Sequence, residues 1–196
     1  MILIQYHLIN LYVKSEDIEN AVKELKLLES IKNVYKISSF KIWINNLYNI
    51  TKALVLIKQN TLQSKSQAQK LLEGVVYQSK DKTELIIEAL LPLIELTIQE
   101  FKIFKNNLIV DKIENLLDIF RDLTENHNSI PMRLQYLTLD GTLKLYSGHY
   151  KEFELNFSKA RELAREYELT ALQNWIDDEL SNFYSELNDW QKLMSS

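Results

Sequence analysis

The chain has 196 residues, of which 46% are hydrophobic and 26% charged, and its formal net charge is −4 at pH 7. These proportions are typical of a folded soluble protein. Only three Gly and two Pro occur, which argues against a β-rich fold because tight turns need those residues. The absence of Cys excludes disulfides, thiol catalysis and cysteine-ligated zinc, and is typical of an intracellular protein.

The apolar start of the chain, Ile2–Ile9, does not read as a signal peptide, because it lacks a basic region and a small-residue cleavage site. No stretch reaches the roughly 18 uninterrupted apolar residues that a membrane span needs. We therefore expect a cytoplasmic protein that does not bind membranes. Since the chain begins inside an apolar helix, two interpretations stay open. The chain is a fragment of a longer array, or its first helix packs against a partner or a second copy.

Apolar residues recur at helical spacing along almost the whole chain, and polar clusters interrupt the pattern. This spacing predicts nine helices. They are expected at about 2–14, 16–32, 35–58, 61–79, 82–105, 107–127, 130–147, 149–167 and 170–192. The third is the most apolar, from Phe40 to Ile57, and its stripe is wide enough to be covered by helices on two sides.

The two prolines predict different local structures. Pro92 lies inside the fifth predicted helix, where proline removes a hydrogen bond at a cost of about 3 kcal/mol. Because the apolar spacing continues from Ile86 to Ile98, we expect one kinked, continuous helix instead of two short ones. Pro131 follows a polar cluster and is expected at the first position of the seventh helix, where proline is favoured.

Helices joined by two to four residues must run antiparallel. The expected hairpins are about 1–33, 34–80, 81–128 and 129–168, followed by a capping helix over about 169–196. A hairpin of this kind cannot bury its own apolar face and needs neighbours stacked on it. We therefore predict one domain over 1–196, an all-α solenoid of about four hairpins.

Several positions in the last third of the chain match a known helical repeat in residue type and spacing. They are Asn128-Ser129, Leu134–Leu137, Gly141, Tyr150–Phe153, Ser158–Ala160, Ala164 and Leu169. With these residues the chain resembles the tetratricopeptide-repeat-like family. The tail from Ile176 to Tyr184 resembles the closing helix of large archaeal proteins of this kind.

The resemblance covers about residues 40–192 and implies a right-handed α-solenoid used as a protein-binding scaffold. One position departs from the repeat. Phe153 stands where the family prefers Ala at the closest crossing of two helices, and Gly141 on the facing helix is expected to compensate.

Charge is distributed unevenly along the chain. Residues 31–80 contain eight lysines and only one acidic residue, Glu73, whereas the part of the chain from residue 106 onward has more acidic than basic residues. We call these lysines the lysine band; they are Lys32, Lys36, Lys41, Lys52, Lys58, Lys65, Lys70 and Lys80. The band is either a solvated face or a surface that attracts an acidic peptide or, less well, nucleic acid, since it contains no Arg.

No pattern of catalytic residues is recognisable. The three histidines show no metal-ligand spacing, and the three glycines are isolated, so no phosphate-binding loop exists. We expect no enzyme activity, no cofactor and no metal. The acidic run Asp177–Glu179 is expected to be a solvated face, with an acidic docking surface as the alternative.

The function that we predict is a protein–protein scaffold that binds a peptide or partner domain on the concave face formed by the first, third, fifth and seventh helices. The candidate partner-binding residues are Lys36, Lys41, Lys52, Lys58 and Trp190. Two alternatives stay open. One is self-association, as a homodimer or within a longer polypeptide, through apolar ends at Ile2–Ile9 and around Trp190. The other is nucleic-acid binding through the lysine band.

Overall fold

The computed structural model describes residues 2–34, 38–78 and 83–195. These described residues form nine α-helices and no strand, which confirms the all-α prediction. The helices are α1 (Ile2–Lys14), α2 (Ile18–Val34), α3 (Ser38–Gln59), α4 (Leu62–Gln78), α5 (Thr83–Phe104), α6 (Asn107–His127), α7 (Ile130–Tyr146), α8 (Tyr150–Glu166) and α9 (Thr170–Ser195).

The start of α2 is two residues later than the sequence predicts. Glu16 has a φ of 62°, in the left-handed region, so it cannot begin a helix. Asp17 then accepts a hydrogen bond at its Oδ1 atom from the backbone N–H of Asn20, at 3.2 Å, which is the geometry of a helix cap. Pro131 is the second residue of α7 and not the first, because α7 begins at Ile130.

Left-handed residues close every interhelix turn that the structure describes. Five of the six are not glycine, which explains how a chain so poor in glycine makes tight turns. Asn and Asp tolerate this conformation best, whereas Glu and Lys pay a steric cost that packing of the flanking helices offsets. The six residues are Glu16, Asn60, Lys105, Asn128, Gly148 and Glu168.

The chain divides into two compact units, Met1–Glu100 and Phe101–Ser196. In the first unit, α3 is the central helix and packs against α1, α2 and α4. Its stripe is therefore covered on more than the two sides that the sequence predicts. The fully buried side chains of α3 are Ile44, Leu47, Ile50, Thr51 and Ala53.

A partly buried polar contact links α1 and α5 in the first unit. The hydroxyl of Tyr6, on the buried face of α1, donates a hydrogen bond to a carboxylate oxygen of Glu88 on α5. Burial, reinforced by this bond, raises the pKa of Tyr6 well above its ordinary value of 10.0. α5 runs without interruption through Pro92, as predicted, and both Leu90 and Leu93 are fully buried beside the proline.

In the second unit, α7 packs against α6 and α8, and α9 packs against α8. One core joins α7, α8 and α9. Its buried residues are Leu134, Phe153, Phe157, Ala160, Ala164, Ile176, Leu180 and Phe183. Gly141 of α7 lies against this core at the closest approach of α8.

The ring that fills the space above Gly141 belongs to Phe157, not to Phe153 as the resemblance to the repeat suggests. A Cβ atom at Gly141 would lie 2.7 Å from Cδ2 and 2.8 Å from Cε2 of Phe157. Phe153 lies one helical turn earlier and contacts both Phe157 and Phe183, with ring centroids 4.6 and 4.7 Å away. Gly141 therefore does make room for a phenylalanine ring of α8, but the ring is that of Phe157 and not that of Phe153.

Replacing Gly141 with Ala is expected to lower the free energy of unfolding by about 1–3 kcal/mol, because the new Cβ forces the buried ring of Phe157 to shift within a packed core. Gly74 in α4 is the matched control, since a Cβ there meets nothing within 4 Å. Gly74→Ala should raise the free energy of unfolding by about 0.5–1 kcal/mol through backbone entropy. Urea unfolding measures both changes, and a shift of the same sign in both variants would contradict this account.

Replacing Tyr6 with Phe is expected to lower the free energy of unfolding by about 1 kcal/mol at neutral pH, through loss of the bond to Glu88. The pKa of Tyr6 is raised in the folded state, so its contribution is complete below pH 10 and declines as the pH rises above it, where the unfolded chain deprotonates first. Chemical denaturation at neutral pH and at several pH values above 10 should show a shallower decline in the variant above pH 10. Parallel pH profiles for the two proteins would refute the role of Tyr6.

Candidate interaction surfaces

The lysine band does not form one uniform free surface among the described residues. Lys36 lies outside the described residues, as does Lys80. Lys58 is paired with Glu16, with 3.4 Å between its Nζ and Oε1 of the carboxylate. Because both side chains are largely exposed, this pair contributes little to stability, but it lowers the charge that Lys58 offers to a partner.

Lys52 lies over an aromatic ring together with another lysine of the band. The Nζ atoms of Lys32 and Lys52 are 3.9 and 5.5 Å from the centroid of the Tyr48 ring. The buried Tyr48 in turn donates a hydrogen bond from its hydroxyl to Oε1 of Glu29, at 2.8 Å. Each ammonium group is attracted to the ring by a cation–π interaction. Lys52 lies on the same side of α3 as Lys41, eleven residues earlier.

Trp190 lies within the range of α9, but its side chain is outside the described residues. The aromatic residues before it in α9 do not share one environment. Phe183 is buried and contacts the ring of Tyr150, with centroids 5.7 Å apart, whereas Trp175 and Tyr184 are 42% and 45% exposed. Phe183 is therefore part of the core, whereas Trp175 and Tyr184 are only partly covered.

The acidic run of α9 makes one ion pair with α8. Oδ1 of Asp177 lies 3.4 Å from Nη1 of Arg161, and both side chains are about half exposed. Asp178 and Glu179 are exposed, in agreement with the prediction of a solvated face.

A groove of ≈ 710 Å³ lies between α6, α7 and α8 in the second unit. The turn at Asn128 and Ser129 forms one end of it. α7 and α8 run antiparallel across a short turn, and Nδ2 of Asn156 donates a hydrogen bond to Oδ2 of Asp140, at 2.7 Å, which links the two helices. Ile130, Leu137 and Leu163 supply partly buried apolar surface within the groove.

The groove is lined by three cationic and three anionic side chains. They are Arg121, Arg133, Lys159, Glu125, Glu162 and Glu166. Arg121 is engaged with its own helix, since its Nη2 atom lies 3.0 Å from Oδ1 of Asp118. The other five make no ion pair with any residue in the described part of the chain. Opposite charges therefore line one concave surface without neutralising one another.

Tyr136 is the half-buried polar residue on the α7 side of the groove. Burial, followed by the negative charge of Asp140, raises its pKa, and the guanidinium of Arg121 partly offsets the rise. The phenol is therefore neutral at physiological pH. Its oxygen accepts a hydrogen bond from the guanidinium of Arg121, so that only the hydroxyl proton is left for a partner beside the apolar surface of the groove.

Sequence reasoning named none of the groove residues as a candidate site, although Asn128, Ser129, Leu137 and Lys159 belong to the positions that carry the tetratricopeptide-like resemblance. On α6 and α8 they recur at the spacing of one helical face, for example Arg121, Thr124 and Glu125 on α6. Such a polar stripe is the ordinary pattern of a solvated helix. Only the packing of three helices shows that the stripes of α6 and α8 face a common space.

The described histidines do not form a metal site. His127 is the last residue of α6, and His149 precedes α8 without a side-chain cap bond. Among residues 2–34, 40–77 and 84–185, whose side chains the structure describes, no group of three His, Asp or Glu side chains is placed to hold a metal ion. Within the same ranges, no helix is long and apolar enough to cross a membrane.

No family model, curated protein or solved structure is significantly similar to this chain. The class that the fold defines is an all-helical protein with a polar groove in its second unit. The tetratricopeptide-like resemblance stays an expectation.

Proposed function

We propose that this protein is a protein-interaction scaffold, a tetratricopeptide-like right-handed α-solenoid that binds a peptide segment of a partner. The observation that carries this proposal is the groove between α6, α7 and α8, with five charged side chains that make no ion pair among the described residues. Charges on a protein surface reduce their electrostatic energy by pairing, so such a set is well suited to pair with a ligand.

The groove favours a partner segment that carries both acidic and basic side chains. Acidic side chains of the partner would pair with Arg133 and Lys159, and basic ones with Glu162 and Glu166, which line the same groove. The partly buried Leu137 and Leu163 would receive an apolar side chain, since water is displaced there at little polar cost. Apolar contacts of this kind supply affinity, and the charges select orientation.

This proposal differs from the sequence-based one in the position of the site. The predicted concave face uses the odd-numbered helices, whereas the groove is lined by α6 and α8 on either side of α7. The lysine band keeps a separate role in this proposal, which is to attract an acidic partner through the field of the whole chain.

Replacing Lys159 with Glu should weaken peptide binding at least tenfold, which corresponds to about 1.4 kcal/mol. The probe is a set of peptides selected from a displayed random library on the wild-type protein, with affinity measured by fluorescence anisotropy. Lys151→Glu is the matched control, because Lys151 is an exposed lysine of the same helix that does not line the groove. Equal losses in both variants, or no loss in either, would exclude the groove as the site.

Replacing both Lys41 and Lys52 with Glu should slow association of an acidic partner and weaken the dependence of the association rate on salt, with little effect on dissociation. The rates are measured by stopped-flow fluorescence at low and high ionic strength, with a selected acidic peptide as the probe. Lys23→Glu, at an exposed lysine of α2 outside the band, is the control for a general change in net charge. An association rate that responds equally to both changes would remove the steering role.

A further inference from the structure

α1 is apolar on two opposite faces. One face is buried in the first unit and consists of Ile2, Tyr6, Ile9 and Val13. The opposite face carries Leu3, Ile4 and Leu11, which are 51%, 69% and 63% exposed, together with the exposed His7. A helix that is hydrophobic on all sides is normally covered on all sides. The outer face of α1 therefore has the character of an interface.

The chemistry of this face limits the kind of partner that it suits. From Ile2 to Val13 the helix contains no Asp, Glu, Lys or Arg, and Lys14 is its first such residue. A partner selected by charge would find no group to pair with along this face. A partner that is itself uncharged and apolar leaves no buried charge unpaired, and the same face of a second copy meets this requirement.

The spacing of the outer face is also self-complementary. Ile4, Leu8 and Leu11 follow one another at intervals of four and three residues, and the midpoint of the set lies between His7 and Leu8. If two copies of α1 pack antiparallel about a two-fold axis at that midpoint, Ile4 of each copy meets Leu11 of the other. Leu8, which is half-buried, then lies beside the axis and meets the exposed His7 of the other copy, and His7 meets Leu8 in turn.

We propose that the outer face of α1 is an isologous interface, on which a second copy of this chain packs its own α1 antiparallel. Because one helix pair of 13 residues buries less area than a standard interface, the dimer is weak and forms reversibly with concentration. The interface is distinct from the groove in the second unit, so a dimer and a bound peptide are independent properties of the molecule.

Sedimentation equilibrium of the whole chain over a hundredfold concentration range tests the dimer directly. The expected result is an average mass that rises from 23.2 kDa toward twice that value and does not change with salt. A mass that stays at one chain over the whole range would overturn the proposal. Peptide binding to the groove, measured separately, would be unaffected by that outcome.

Two single variants and their mixture test the antiparallel pairing. Ile4→Lys and Leu11→Glu should each abolish the rise in mass, since each buries an unpaired charge in the dimer. An equimolar mixture of the two variants should recover association, because the introduced lysine of one chain then faces the introduced glutamate of the other. Loss of association in both single variants without recovery in the mixture would reject the antiparallel arrangement.

Leu62→Glu is the matched control, since Leu62 is a 75% exposed leucine of α4 outside the outer face of α1. The Leu62→Glu variant should dimerise as the wild type does. Circular dichroism checks that every variant keeps its helix content, which is expected because all three substituted side chains are mostly exposed. Dimerisation that is lost in Leu62→Glu as well, or kept in Ile4→Lys and Leu11→Glu, would place the interface elsewhere.

Discussion

The close approach of α7 and α8 at Gly141 is the contact on which the second unit depends. A glycine leaves space for the ring of Phe157, which is buried against the helix backbone. Phe157 in turn positions Phe153, and Phe153 contacts Phe183 of α9, so that three aromatic rings run from α8 to α9. The register that this packing imposes also places Leu163 of α8 and Leu137 of α7 on the same groove. The geometry of the candidate site is thus a consequence of one missing side chain.

The surface charges of the two units are used in different ways. In the first unit several lysines are engaged by neighbours, for example Lys58 by Glu16 and Lys52 by the ring of Tyr48. In the second unit, charges such as Arg133 and Glu166 line the groove without an ion pair among the described residues. The number of charged residues in a segment therefore does not tell how many of them are unpaired in the folded chain, because pairing depends on which helices are neighbours.

Much of the fold could be predicted from the sequence. Helical spacing and polar breaks located the nine described helices within a few residues. The start of α2, two residues later than predicted, depends on the left-handed conformation of Glu16, and residues 35–37, where the third helix was predicted to begin, lie outside the described residues. The position of Pro92 inside one continuous helix followed from apolar residues on both sides of it. The candidate site could not be predicted, because its residues come from three helices and each of them has the pattern of an ordinary solvated face.

The sequence by itself determined the helices, the apolar stripes and the uneven distribution of charge, because these depend on residues close together in the chain. It also contained the uncharged, symmetric spacing of α1. Only the tertiary structure decided which ring fills the space at Gly141 and which charges stay unpaired. It also decided which face of α1 is buried and which is exposed. These properties depend on side chains far apart in sequence, whose contacts are set by how the helices pack and not by their local preferences.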